Sequence, residues 1–167
     1  MNFTNRVCQT LHEEHLATVM LMQRLGQLVV HHSRGAPLDA KDGAVARLLS
    51  DLATALETEI QRHFAFEEDR LFPYLGAVGN EEIGAHLTEE HKIMRPIGAR
   101  VVALAREAVA KGIDAARWEE FRRSGQELCE RLGAHVQKEE MALLPMLEDC
   151  MDADTDGRLV EEYLETT

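Results

Sequence analysis

His63-Phe-Ala-Phe-Glu67 and His135-Val-Gln-Lys-Glu139 share a spacing that can do chemistry. Residues four apart on an α-helix lie on one face about a turn apart, so each segment aims an imidazole and a carboxylate at one point. Both segments continue in the same register through Glu68, Leu71 and Pro73 in one and Glu140, Leu143 and Pro145 in the other. A second repeat accompanies them: Leu11-His-Glu-Glu-His15 matches Leu87-Thr-Glu-Glu-His91. His15, His63, His91 and His135 together with Glu67 and Glu139 make a ligand set for two metal ions. Imidazoles suit iron, zinc or copper, and a carboxylate can bridge two cations and cancel their repulsion. Two bridges and four terminal imidazoles leave coordination positions open to a small ligand. Without a cation, burying such a set between apolar faces would be costly.

The elements that must position these residues are helical. The chain is rich in Ala, Leu, Glu and Arg and lacks β-branched runs bounded by turn signals, which predicts an all-α fold. A first helix begins near Thr4 and closes at Ser33-Arg-Gly-Ala-Pro37. Asp39 is placed to cap a second running toward Leu75, and Asn80 a third after the Gly76–Asn80 loop. Lys111-Gly112 marks the end of the third, and Asp114 caps a fourth reaching about Cys150. Pro73 and Pro145 fall near helix ends, while Pro96 inside the third predicts a kink. The repeats are offset by about 76 residues for the first helix of each pair and about 72 for the second, as in two duplicated hairpins with unequal loops. Short joins then predict an up-down-up-down four-helix bundle over residues 1–150. Residues 151–167 are expected to form an acidic tail with a short helix from about Arg158.

At 167 residues and 45% hydrophobic content, one compact domain is expected. Thirty acidic against eighteen basic residues, a net charge of −12, would repel phosphate backbones and anionic surfaces, so neither nucleic acid nor a membrane is an expected partner. Polar residues such as Arg24 and Gln27 interrupt the most apolar windows, no signal peptide is apparent at the start, and three unpaired-looking cysteines suit a reducing compartment. A cytoplasmic location follows as the expectation.

Over about residues 11 to 146 the chain resembles the hemerythrin-like, or histidine-histidine-glutamate cation-binding, family of four-helix bundles. The resemblance rests on His15, on His63 with Glu67, on His91, and on His135 with Glu139. It implies a non-haem di-iron centre with Glu67 and Glu139 as bridges, one iron on His15 and His63 and the other on His91 and His135. Zinc is the alternative metal, in a purely structural site. The implied function is to sense, store or deliver a small diatomic ligand, O2 or NO, or to report iron availability. The rival is an enzyme that acts on NO or peroxide or donates iron for cluster repair. The family's oxygen carriers have H-x-x-x-H on helix three, whereas Leu87 stands four before His91 here. His86, five before and about 140° around the helix, is a candidate fifth histidine ligand reaching from the flank.

Glu140 is likewise an alternative bridging carboxylate. Ferritin-like sites need Glu-x-x-His, and no residue three before a histidine is acidic. Glu13, Glu14, Glu68, Glu89 and Glu90 read as solvated faces, and His12, His31 and His32 as surface residues. Glu59 is placed either to orient His63 from one turn away or to pair with Arg62 or Arg70 at the surface. Met20, Met22, Met94, Met141 and Met146 read as core filling. Asp152-Ala-Asp154-Thr-Asp156-Gly157 opens like a calcium loop but has Tyr163 where position twelve needs a bidentate Glu, so it reads as a capping turn.

Overall fold

The computed structural model describes residues 3–31, 38, 39 and 41–165, apart from the side chains of His31 and Glu59. It is helical throughout, with no strand among the described residues. The expected closure at Ser33–Pro37, the reading of His31 and His32 as surface residues, and the role given to Glu59 fall outside what is described. Helix α1 spans Arg6–His31. α2 (Gly43–Thr58) leads into a broken rod of a π turn (Glu59–His63), α3 (Phe64–Phe66), a second π turn (Glu67–Leu71) and α4 (Phe72–Ala77). α5 (Glu81–Lys111) continues as helix through Pro96. α6 (Ala115–Lys138) passes through a third π turn (Glu139–Leu143) into α7 (Leu144–Cys150), and α8 (Ala153–Glu165) follows. α1 packs on α6 and α8, while α5 packs on both α2 and α6.

The helix starts follow local chemistry, with two corrections. Asp114 caps α6 by accepting from the Arg117 amide at 2.8 Å, as its sequence position predicts. Asp42, not Asp39, begins α2: its carboxylate accepts from the Ala44 amide at 2.8 Å, while Asp39 turns back to the Lys41 amide. Asn80 stands at the start of α5 without a side-chain capping bond. α5 ends at Gly112, whose φ of 84° suits a residue without a Cβ.

The π turns are the larger departure from four regular helices. In both H-x-x-x-E segments the carbonyl of the ligand-position glutamate bonds five residues ahead, Glu67 to the Phe72 amide and Glu139 to the Leu144 amide. Such widened turns recur at functional sites. Each brings Glu, Leu and the next apolar residue inward together: Glu67, Leu71 and Phe72 in one copy, Glu139, Leu143 and Leu144 in the other. The proline that follows has no N–H to offer the preceding turn. After Pro73, the freed Asp69 carbonyl accepts from the Arg70 guanidinium at 3.1 Å.

Two apolar clusters result, one around Leu25, Leu52, Phe64, Leu104 and Phe121, the other around Leu11, Phe72, Leu87, Leu143 and Tyr163. Along α1 the change from one to the other falls between Leu11 and Met22, and along α5 between Leu87 and Met94. His15 and His91 stand at those junctions. α8 is longer than the expected tail helix and belongs to the second cluster through Leu159, Val160 and Tyr163. Its aspartates are structural. Asp152 accepts from the Thr155 amide, and buried Asp156 accepts from the amides of Arg6 and Val7, closing the open N-terminus of α1. Met22 and Met94 are buried as expected, whereas Met20 and Met141 are exposed at 65% and 71%. They lie on outward faces of α1 and the third π turn and fill no core.

Candidate metal centre

His15, His63, Glu67, His91, His135 and Glu139 are all buried, and they converge. They form two groups of four ligand atoms, His15, His63, Glu67 and Glu139 in one and Glu67, His91, His135 and Glu139 in the other, each within 4.8 Å of one another. The shared glutamates divide their oxygens between the groups. Glu67 Oε1 lies 3.4 Å from His63 Nε2, and Oε2 lies 3.4 Å from His91 Nε2. Glu139 Oε2 lies 3.1 Å from His15 Nε2, and Oε1 lies 2.8 Å from His135 Nε2. Within each group the imidazoles face one another, Nε2 to Nε2, at 3.3 Å for His15 and His63 and 2.9 Å for His91 and His135.

The other ring nitrogen of every histidine is taken by a carboxylate. His15 Nδ1 bonds Glu140 at 2.7 Å, His63 bonds Glu14 at 3.0 Å, His91 bonds Glu68 at 2.8 Å and His135 bonds Glu90 at 2.9 Å. An ionised carboxylate only accepts, so each Nδ1 carries a proton, and each Nε2 faces the interior of the cluster. Carboxylates behind ligating histidines fix ring orientation and raise basicity. The pattern follows the duplication: the glutamate before His15 or His91 serves the histidine of the next helix, and the glutamate after Glu67 or Glu139 serves His91 or His15.

This donor set fits cations. None of the four buried oxygens of Glu67 and Glu139 receives an aligned hydrogen bond, although imidazoles approach them closely. In each pair the two Nε2 atoms lie about 3 Å apart, so the rings either share one proton or turn both lone pairs toward the carboxylates. A cation in each group resolves both. The electrostatics point the same way. Burial opposes a charge on His15, but contact with Glu139 and Glu140 overcomes it and pushes the imidazole up to about 9. Burial opposes His135 too, and Glu139 raises it. Burial and mutual repulsion also oppose ionisation of Glu67, and burial that of Glu139, yet the histidines hold both carboxyls below the usual carboxylate range. The pocket thus attracts protons where metal ions would sit.

The carboxylates on Nδ1 have partners of their own. Glu14 accepts from Arg62 and from the Tyr163 hydroxyl. Glu68 accepts from Arg95 at 2.9 Å, Glu90 from Lys138, and Glu140 meets His12 at 2.8 Å. Arg95 also donates to the Ile60 carbonyl at 2.8 Å, so it ties the first π turn to the support of His91. Phe64 stacks on the His91 ring at 3.8 Å between centroids.

Two ligand candidates are thereby corrected. His86 is exposed at 61% and reaches only Glu90 Oε1, at 3.4 Å, because five residues of helix carry it away from the inward face. Glu140 is no bridge; both of its oxygens are engaged by His15 and His12. Glu14, Glu68 and Glu90, read from sequence as solvated faces, support ligands instead, and His12 is half-buried behind Glu140. The signal for the carboxylates was in the repeats: the four Glu-Glu doublets there, at 13–14, 67–68, 89–90 and 139–140, each contain or adjoin a site residue.

A family model for the hemerythrin HHE cation binding domain matches residues 7–147. The chain belongs to that family. No curated protein matches it. The members of this hemerythrin-type family bind metal cations, and the His/Glu cluster found here lies within the matched residues. No helix among the described residues is long and apolar enough to cross a membrane.

Proposed function

We propose that the protein is a cytoplasmic, non-haem di-iron binding protein whose centre senses, stores or delivers O2 or NO, or reports iron availability. The observation that carries this reading is the pair of four-ligand groups sharing Glu67 and Glu139, with all four imidazoles held by carboxylates on Nδ1. His15 and His63 would hold one iron and His91 and His135 the other, the two glutamates bridging. Iron there would supply Lewis acidity and a redox couple matched to diatomic ligands. The scaffold we infer is the up-down-up-down bundle of two duplicated hairpins, spanning residues 1–150, with α8 laid against it.

The protein's own groups define what such a centre admits. Phe64 at 3.8 Å and Phe72 at 5.9 Å from the His91 ring make the surroundings apolar, which suits a small uncharged ligand over a charged substrate. A groove of about 620 Å3 between α5 and α6, lined by Met94, Ala134 and charged residues including Arg131 and Lys138, reaches Glu90, the carboxylate on His135. The Nδ1 carboxylates would hold the rings in place and raise the basicity of Nε2 toward a cation, whose binding would displace any proton there.

Absorption spectra of anaerobically iron-loaded protein, before and after O2 or NO, test the reading. A reversible adduct without consumption supports it. Turnover of NO or peroxide would make the protein an enzyme, and a silent spectrum with zinc retained would make the site structural.

A further inference from the structure

Tyr163 lies on α8, outside residues 7–147 that match the family, yet it touches the support of a site histidine. Its ring is 1% exposed, 4.4 Å from Phe66 and under the Arg62 guanidinium at 4.4 Å. Phenylalanine would fill that space equally well. What tyrosine adds is a buried hydroxyl, which needs a partner, and its partner is Glu14 Oε2. The same oxygen accepts from His63 Nδ1 at 3.0 Å, while Arg62 takes Glu14 Oε1.

The second hairpin has no such arrangement. Its corresponding carboxylate, Glu90, is covered by Lys138, and the residue standing where Arg62 stands, one before His135, is Ala134. The two positions of the centre therefore differ in what lies behind equivalent ligands.

We propose that Tyr163 is a positioning residue for the metal position between His15 and His63, its hydroxyl fixing Glu14 and through it the orientation and basicity of His63. α8 is then part of the centre and makes its two positions inequivalent. The inference rests on the two-metal reading above. Replacing a residue that directly supports a ligand weakens metal binding about 10- to 100-fold, and Tyr163 acts one bond further out, so Tyr163→Phe should weaken one of the two positions about three- to tenfold.

The test uses the whole chain and two readouts, Co2+ titration followed by absorption and the imidazole Nδ1 proton resonances of the metal-free protein. Tyr163→Phe is expected to weaken one of two Co2+ steps and to move the His63 resonance, leaving those of His15, His91 and His135 in place. Two unchanged steps with four unchanged resonances would overturn the proposal, and so would equal weakening of both steps, the mark of a merely structural role. If the unaltered protein takes up no Co2+, the two-metal reading fails, and the His63 resonance alone still decides whether Tyr163 acts on it. Should Tyr163→Phe not fold, 3-fluorotyrosine incorporation retains ring and hydroxyl while changing the donor. The only other tyrosine, Tyr74, donates to the Cys150 carbonyl at 2.8 Å and not to the site. An unmoved His63 resonance would then overturn the proposal.

Discussion

The two halves of the centre are alike at the ligands and differ behind them. Each has two imidazoles facing at Nε2, one oxygen from each of Glu67 and Glu139, and a carboxylate on every Nδ1. Behind His91 and His135 those carboxylates are covered by Arg95 and Lys138. Behind His15 stands His12, and behind His63 stand Arg62 and Tyr163. The first hairpin also has a π turn ending at His63, where the second has ordinary α-helix up to Lys138. A metal would constrain the inward donors of both copies in the same way. The outer groups need only satisfy a carboxylate, so any donor that reaches serves, and the copies were free to differ there.

The strongest way to break the comparison is to remove what the halves share. Glu67→Ala takes one oxygen from each group, so both metals should be lost. Each metal at about a thousand times its dissociation constant adds about 4 kcal/mol to stability, some 8 to 16 °C in a chain of this size, and two add about twice that. Calorimetry with and without metal should show that rise in the unaltered protein and not in the variant.

Single supports should separate the halves. Glu140→Ala is expected to weaken the position of His15 about 10- to 100-fold and Glu68→Ala that of His91 by a similar factor. Titration should show one weakened step in each variant, and two steps weakened together would argue that the halves act as a unit.

Acidity offers a milder probe of the metal-free protein. His15 has its folded-state value raised from 6.5 to about 9, so its contribution to stability is complete below about pH 6.5 and is lost as pH rises through 9. The melting temperature of stripped protein should fall across that window, and bound metal, which replaces the protons, should flatten the curve. Glu140→Gln should weaken the fall, since Glu140 helps to hold that proton.

The smallest effect is expected at Gly98. A Cβ there would stand 2.3 Å from Ile60 Cδ1, the far end of a side chain in the first π turn. Gly98→Ala should cost about 1 to 3 kcal/mol through overpacking, read as a lower melting temperature, with any change in metal binding confined to the position of His63.

The buried His/Glu cluster was legible because its residue types recur at fixed spacing, two copies of His-x-x-x-Glu accompanied by His15 and His91. Helical content was legible from composition and caps. The π turns were not, because sequence periodicity assumes regular α-helix; the second and third carry Glu followed four residues later by Leu and then by Pro73 or Pro145, and the first, Glu59–His63, has no such mark. The Nδ1 carboxylates were missed for a related reason. Glu14, Glu68 and Glu90 point off the inward face of their own helices, and only the packing of neighbouring helices shows that they reach a histidine across the gap. Tyr163 could not have been found at all from the repeats, since α8 has no copy.

Anomalous diffraction from crystals grown without chelator, recorded on both sides of the iron edge, tests the central claim most directly. Two iron peaks are predicted, one between His15 and His63 and one between His91 and His135, with Glu67 and Glu139 spanning them. A single peak, no peak, or a signal at the zinc edge alone would contradict it.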